Sequence, residues 1–394
     1  MQEEKFPMMK FIKQICEEIG PRLGTSENEY AAGLKIKKIL ESQADKVILE
    51  EFSCHPQAFL DFTKVAFVIT CLASGILIAS VFISYASFWF SFVSFLLYLY
   101  GITIFLFEQM YLKEYVDFFF PQRTGTNVIG KLNAARERKK IVICSAHHDS
   151  AYEFPLFEKY KSKFGLLAYF TVSTIIFSAT FAILKGIFDL LTYSSFLLNS
   201  LSIGLPVLSI IMVGYLAFNL HSKNVILGAQ DNLSGVAVVL GLAQYFSAHR
   251  LQNIELWLIS FSCEECMRGS KRFVEKHYEE LVDSITINFD MVGKGEISII
   301  SAEPYFTAKH SLELAKDFQK ISNFPIRVVH FGGTDAASFS KKKLKAISIM
   351  GLTPDKYPHT WHTLSDTPEI IEEELLENTL QATIKFLLHL DSSL

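Results

Sequence analysis

The sequence predicts an α/β protein: a doubly wound, mostly parallel sheet flanked by helices, with four transmembrane helices inserted as two hairpins. Three observations lead there. Strand and helix patterns alternate through the C-terminal half without an internal repeat. Some strands, such as residues 140–146, are short apolar runs of the kind buried on both faces. Four charge-free runs of about 20 residues, each roughly 30 Å long as a helix, match the thickness of a bilayer core. Composition agrees: of 394 residues 50% are hydrophobic, 13% aromatic and only 20% charged, and mean hydropathy is +0.27. That is too apolar for an ordinary soluble domain.

Residues 7–41 read as two helices. Met8, Phe11, Ile12, Ile15 and Ile19 share one face, and Gly20-Pro21 ends the first helix. Leu34, Ile36, Ile39 and Leu40 mark the second, with Thr25 or Ser26 as its cap. Residues 46–53 form a strand. Charge then vanishes over 65–84 and 86–107, the first hairpin. Strands return at 126–133 and 140–146, the latter running into Ser145-Ala146-His147-His148-Asp149-Ser150. The second hairpin spans 166–184 and 196–218, with Lys185 and Asp189 read as marking its turn. It leaves the chain just after His147 and Asp149 and returns just before Gly228-Ala229-Gln230-Asp231-Asn232-Leu233-Ser234-Gly235. There follow a helix over 233–249, strand 254–261, a helix near 269–282 and strands 284–289 and 296–300. A helix across 305–320, strands 326–330 and 345–350 and a C-terminal helix from about 368 complete the pattern. The α/β domain thus takes residues 1–60, 111–164 and 221–394, and the hairpins take 61–110 and 165–220.

Asp231 lies in a tight turn of small residues ahead of the apolar run Val236-Ala237-Val238-Val239-Leu240. A carboxylate near a helix N-terminus stays ionised, and its two oxygens can serve two cations. Alone, such an Asp is most often a cap. In a doubly wound sheet, however, ligands sit beyond the carboxyl ends of the strands. His147, Glu264-Glu265, Asp290 and Asp231 fall there or in the loops that follow, and His362 lies in the loop 358–367. A strand-end Asp is often a cap and an acidic pair is usually solvated, but the bland reading needs five such coincidences. Two histidines, two terminal carboxylates and one bridging carboxylate suit a pair of zinc ions of the hydrolytic kind. Of the adjacent glutamates, one is then a ligand and the other is free to take a proton from activated water. Asp149, two residues beyond His147, is placed to orient that histidine.

The set resembles the co-catalytic zinc exopeptidases, which include leucyl-type zinc aminopeptidases, plasma glutamate carboxypeptidase and glutaminyl cyclases. The resemblance begins at Ile19-Gly20-Pro21-Arg22-Leu23-Gly24-Thr25 and runs through Ala146-His147-His148-Asp149-Ser150 and Gly228-Ala229-Gln230-Asp231-Asn232. It continues at Glu264-Glu265 with Gly269-Ser270, Asp290-Met291-Val292-Gly293 and His362-Thr363-Leu364-Ser365-Asp366-Thr367. It implies a zinc aminopeptidase-like fold. One zinc would be held by His147 and Asp290, a second by Glu265 and His362, and Asp231 would bridge the two. By the same resemblance Glu264 is the general base, Asp149 and Asp366 are supporting residues, and Gly332-Gly333-Thr334-Asp335 is similar to a loop near the active site. Gln230, Cys266 and Met267 depart from the family pattern, which bears on specificity more than on the ligands. His148 and His359 are the decoys beside His147 and His362.

Cys16, Cys54, Cys71, Cys144, Cys263 and Cys266 are scattered and suggest no disulfide framework. Cys263 and Cys266 have the spacing of a redox or zinc pair, but two glutamates stand between them and no second pair exists. The N-terminus does not read as a secretory signal peptide. A net charge of −4 gives no case for nucleic acid. Between the hairpins, residues 108–165 carry ten Lys or Arg, the tip of the first hairpin none and that of the second only Lys185. The positive-inside rule therefore places the α/β domain in the cytoplasm, on a multi-pass integral membrane protein. The expected partners are the lipid bilayer and a peptide substrate, apolar or membrane-derived. The leading expectation is an exopeptidase, an aminopeptidase before a carboxypeptidase. The alternatives are a single-zinc acyltransferase like glutaminyl cyclase and a non-enzymatic membrane receptor or scaffold on a peptidase fold.

Overall fold

The computed structural model describes residues 5–330 and 332–394. In chain order the helices are α1 (Met8–Glu18), α2 (Glu27–Glu41), α3 (Ala58–Phe82), α4 (Ser87–Phe105), α5 (Pro155–Tyr160) and α6 (Phe164–Leu190). Then come α7 (Phe196–Asn219), α8 (Ser234–Ala248), α9 (Gly269–Leu281), α10 (Leu312–Ser322), α11 (Ala336–Lys341) and α12 (Glu373–Ser393). The strands are β1 (Lys46–Cys54), β2 (Arg123–Leu132), β3 (Lys140–His147), β4 (Ile254–Phe261), β5 (Ile285–Asp290), β6 (Glu296–Glu303), β7 (Ala308–Lys309), β8 (Ile326–Val328) and β9 (Lys345–Leu352). Two compact units result: Met1–Pro56, Gln122–Glu153 and Lys223–Leu394 form one, and Gln57–Pro121 with Phe154–Ser222 form the other.

The first unit is built on one sheet in the order β1-β2-β4-β3-β5-β9-β6-β7, with β8 also on β6. Its centre, β4-β3-β5-β9, is parallel. Antiparallel pairing at β1-β2-β4 and at β9-β6-β7 makes the sheet mixed rather than mostly parallel. Strand β3 shows why helices cover both faces. Val142, Cys144 and Ala146 point into a core with α1, α2, α8, α10 and α12, while Ile141 and Ile143 point into a second core with Phe273 of α9 and Phe339 of α11. The period-2 alternation of a strand supplies both faces from one apolar run. Helix α1 buries Met8, Phe11, Ile12 and Ile15, and the Ser26 hydroxyl caps α2 by accepting from the Glu29 amide. The predicted helix across 305–320 starts only at Leu312. Pro304, a left-handed Thr307 (φ 55°) and the β6-β7 pairing occupy the stretch before it, and Ser311 caps the helix.

The chain leaves β3 for α8 and β4 on one side, and returns by α9 to β5 on the other. That reversal opens a crevice beyond the carboxyl end of β3, where ligands bind in such sheets.

The second unit is helical. Its four long helices, α3, α4 with its extension to Met110, α6 and α7, are each long and apolar enough to cross a membrane. Many of their buried positions are small or polar (Ala73, Ser74, Ser94, Ser178, Ala182, Ser202, Ser209), beside larger ones such as Leu77 and Ile104, and many exposed ones are large and apolar (Val68, Leu72, Phe170, Phe177, Ile211). Small and hydroxyl-bearing contacts are what helices use to pack in lipid. Ser74 Oγ meets Tyr98 Oη at 2.7 Å and Ser178 Oγ meets Ser209 Oγ at 2.8 Å, so each helix contributes a hydroxyl. Lys185 and Asp189 do not mark a turn. Helix α6 continues through both to Leu190, because Lys185 Nζ is neutralised by Asp189 at 2.5 Å and bonded to Ser87 Oγ at 2.9 Å.

Candidate metal centre

Each candidate is delivered by the end of a sheet element. His147 and Asp290 are the last residues of β3 and β5, Glu264 and Glu265 form a turn just after β4, and Asp231 lies in the loop ahead of α8. His362 comes from the loop between β9 and α12. The fold brings all six together. His147 Nε2 lies 3.2 Å from Asp231 Oδ1, 3.6 Å from Glu264 Oε2 and 3.9 Å from Asp290 Oδ2. His362 Nε2 lies 2.9 Å from Glu265 Oε2 and 3.5 Å from Asp231 Oδ2. Asp231 thus presents one oxygen to each histidine. His147, Asp231 and Asp290 form one group with donor atoms within 4.8 Å of each other, and Asp231, Glu265 and His362 form another. His147, Glu264 and Glu265 also fall within that limit.

The loops are held by dedicated contacts. Gly228 adopts φ +62°, where a Cβ would lie 2.5 Å from the Asp231 carbonyl oxygen, so the turn requires glycine. Asp366 accepts the backbone N–H groups of Gln230 (2.6 Å) and Asp231 (3.0 Å). Asp149 accepts those of Glu264 and Glu265, both at 3.1 Å, and its Oδ1 lies 3.2 Å from His147 Nδ1. One carboxylate therefore orients a histidine and the acidic turn together. Cys263, Met291 and His362, each beside or among the candidate ligands, hold left-handed φ of 56°, 52° and 52°. Such φ values in bulky residues persist only where the surroundings impose them.

The electrostatics of the group call for added positive charge. Burial, reinforced by Asp335, Asp290 and Glu265, pushes the Glu264 carboxyl well above its usual range despite His147. Burial and the neighbouring Asp231 and Asp335 do the same to Asp290, against the pull of His147. Burial would make His147 a weaker base, but Glu264, Asp149 and Asp231 override it and raise its pKa. His362 is raised in the same way by Glu265. Arg22, fully buried nearby, spends its guanidinium on the carbonyl oxygens of Gly20, His148, Leu227 and Gly228 and so neutralises none of these carboxylates. His147 Nε2, Asp231 Oδ2, Glu264 Oε1 and Glu265 Oε1 are buried without hydrogen-bond partners. Buried acceptors of this kind are costly unless something coordinates them. Imidazole nitrogens and carboxylate oxygens in two groups sharing Asp231 fit zinc.

The decoys separate cleanly. His148 turns away to Ser260 Oγ (2.9 Å), and burial lowers its pKa to about 4. His359 belongs to none of the metal-competent groups among the described residues. Burial raises the Cys263 and Cys266 thiols, so neither is poised for redox or metal chemistry. Cys54 Sγ lies 4.0 Å from Cys263 Sγ in the same packed spot.

Three residues matter more than the sequence reading indicated. Arg22 ties the N-terminal loop to the loops of His147 and Asp231. Gln230, one of the departures from the family pattern, bonds the Met291 carbonyl oxygen (2.5 Å) and the Gly293 amide (2.9 Å), so it staples the Asp231 loop to the loop after Asp290. Asp335 is fully buried with neither carboxylate oxygen hydrogen-bonded, and burial pushes its pKa up to about 7. Its loop is clamped by Glu303, which accepts from Thr334 Oγ1 at 2.7 Å and from the Thr334 amide at 3.2 Å. The Gly332-Gly333-Thr334-Asp335 motif was the available signal for that residue.

Fold and site together define an aminopeptidase-like α/β domain with a zinc-type donor set. Comparison with known proteins points the same way. Peptidase family M28 matches residues 212–387, a stretch that contains Asp231, Glu264, Glu265, Asp290 and His362 but not His147. Among solved structures, the chain is similar to a glutaminyl cyclase from Bacteroides thetaiotaomicron bound to N-acetylhistamine (14% identity, 98% of this chain and 99% of that one, TM-score 0.58). It is also similar to a Zn-dependent exopeptidase from Parabacteroides distasonis (14%, 98% and 99%, 0.56) and to a zinc aminopeptidase from Bacillus subtilis (14%, 97% and 96%, 0.53). No curated protein sequence matches the chain. The family match and the shared fold agree with the resemblance to co-catalytic zinc exopeptidases carried by the motifs.

Proposed function

We propose that this chain is a membrane-embedded zinc metallo-exopeptidase that removes amino-terminal residues. The observation that carries the reading is the convergence of His147, Asp231, Glu264, Glu265, Asp290 and His362 in one buried cluster whose acceptor atoms lack partners. His147 and Asp290 would hold one zinc and Glu265 and His362 the other, with Asp231 shared. Zinc at such a site supplies Lewis acidity toward a carbonyl oxygen and lowers the pKa of water toward neutrality.

The chain's own residues do the rest. Glu264 takes the proton of the attacking water and returns it to the leaving amine, the work of a general base and acid, and burial makes its carboxyl a stronger base than an exposed one. Asp149 keeps His147 oriented through Nδ1 and fixes the turn that carries Glu264 and Glu265. Asp366 holds the Asp231 loop by two backbone N–H bonds.

The four apolar helices anchor the enzyme in a bilayer, and the basic segments between them set the α/β unit on the cytoplasmic side. The second hairpin is inserted between the His147–Asp149 stretch and Asp231. That position supports apolar or membrane-derived peptides as substrates.

The test is digestion of a peptide library by the purified, zinc-loaded protein with mass readout, run beside Glu264→Gln. Loss of single amino-terminal residues that stops in the variant supports the reading, and full hydrolysis by the variant defeats it. A second reading, acyl transfer by a single zinc, shares the fold seen in the glutaminyl cyclase neighbours. Cyclisation of a Gln-initiated peptide with one zinc per chain would establish it instead.

A further inference from the structure

The two ends of the four-helix unit differ in their exposed lysines. One end holds the α3–α4 and α6–α7 connections. There Phe82, Tyr85, Trp89, Tyr193 and Phe196 are exposed, while Lys185 and Asp189 are occupied with each other. At the other end Phe107, Tyr111, Tyr115, Phe118 and Phe119 are exposed, and Tyr160 Oη meets Tyr215 Oη at 3.2 Å. Aromatic belts at both ends of apolar helices are what the two membrane–water interfaces select. Among the described residues, only the second belt carries exposed lysines. Lys113, Lys159, Lys161 and Lys163 are exposed there, and among the described residues none of them pairs with a carboxylate. Glu158 is the only acid between Pro155 and Lys163, so that segment is net positive.

Depth fits as well as charge. Lys161 and Lys163 lie on the single turn directly before α6, and the exposed apolar face of that helix begins at Leu166. A bilayer whose acyl chains covered Leu166 would bring Lys161 and Lys163 to headgroup level, with Lys159 one turn earlier in the chain. Lys159 Nζ stands 5.2 Å from the centre of the Tyr160 ring, beside the tyrosine hydroxyl pair.

We propose that Lys159, Lys161 and Lys163, with the Tyr160 and Tyr215 hydroxyls beside them, bind the phosphate headgroups of anionic phospholipids in the leaflet at this end of the bundle. The inference rests on the membrane reading above and adds a lipid-class preference to it. Clustered lysines beside a membrane helix attract anionic lipid additively and in a salt-dependent way.

The experiment reconstitutes the full-length protein in phosphatidylcholine vesicles and compares spin-labelled phosphatidylglycerol with spin-labelled phosphatidylcholine at the protein boundary. The expected result is a preference for phosphatidylglycerol of at least about fivefold, the contribution of a single lysine, that shrinks with added salt. K159Q/K161Q/K163Q should lose it, K159R/K161R/K163R should keep it, and K10Q/K46Q/K342Q, which removes as much charge from the other unit, should leave it unchanged. An equal preference in the Gln triple variant and the wild type, or no preference in the wild type, overturns the headgroup site while leaving the membrane anchor intact. Failure of the wild type to enter vesicles overturns both.

Discussion

Both units bury charge, and they deal with it in opposite ways. In the helical unit, Lys185 and Asp189 neutralise each other, Ser87 bonds both, and the four helices share further hydroxyl contacts. In the α/β unit, Asp231, Glu264, Glu265 and Asp290 crowd around two histidines, and several of their oxygens have no donor. A self-satisfied polar cluster specifies packing. An unsatisfied one of the same burial carries a cost that a bound cation would offset. The contrast singles out the candidate metal centre without reference to any relative.

Asp231→Asn removes a charge from both donor groups at once. Activity should fall further than for any other single change, with zinc loss seen by elemental analysis, and a variant that retains full zinc occupancy would count against a shared ligand. Glu264→Gln should lower kcat by roughly 10²–10⁴-fold while zinc content holds, as the proposed role of a proton carrier that is not a ligand requires. In the self-satisfied cluster, Lys185→Met strands Asp189 and should cost about 3–5 kcal/mol in a denaturation series, whereas Lys185→Met with Asp189→Leu should recover most of it. Zinc content should stay unchanged in both, and a lowered content would mean that the two clusters are coupled. Asp149→Ala should weaken zinc binding by roughly 10–100-fold in a chelator competition, the range for groups that orient a ligand.

The smallest effect concerns Glu29, whose carboxyl accepts from Ser262 Oγ at 2.7 Å and the Cys263 amide at 2.9 Å beneath the acidic turn. Burial, with the charge of Asp149, raises its pKa from 4.5 to about 8. A carboxyl raised on folding stabilises the fold most below its unfolded pKa, and that contribution is lost as pH climbs through about 8. Glu29→Gln should therefore flatten the decline in stability of the metal-depleted protein between those values. Denaturation midpoints at several pH values read this directly, and an unchanged slope would contradict it.

The strands and membrane-length helices were legible because their signals are local: a run such as Ile141-Val142-Ile143-Cys144 needs no partner to be recognised. The candidate ligands were legible because strand ends displayed the right residue types in order. What escaped depends on contacts distant in sequence. Lys185 looked like a turn marker because its neutralisation requires both Asp189 and Ser87 on another helix. The antiparallel edges of the sheet depend on which neighbour a strand finds, and β6 pairs with β9 across two intervening helices. Arg22 acts through four carbonyl oxygens, which no side-chain pattern reveals. Gln230 read as a departure from a pattern, yet it works as a staple between two loops.

The unsatisfied cluster is proposed to hold two metal ions through a shared Asp231. Zinc counted per chain in the purified wild-type protein, after equilibration with buffered zinc, tests it most directly. Two zinc ions per chain, falling below one in Asp231→Asn, is the predicted result. A single zinc in the wild type at full peptidase activity would contradict it.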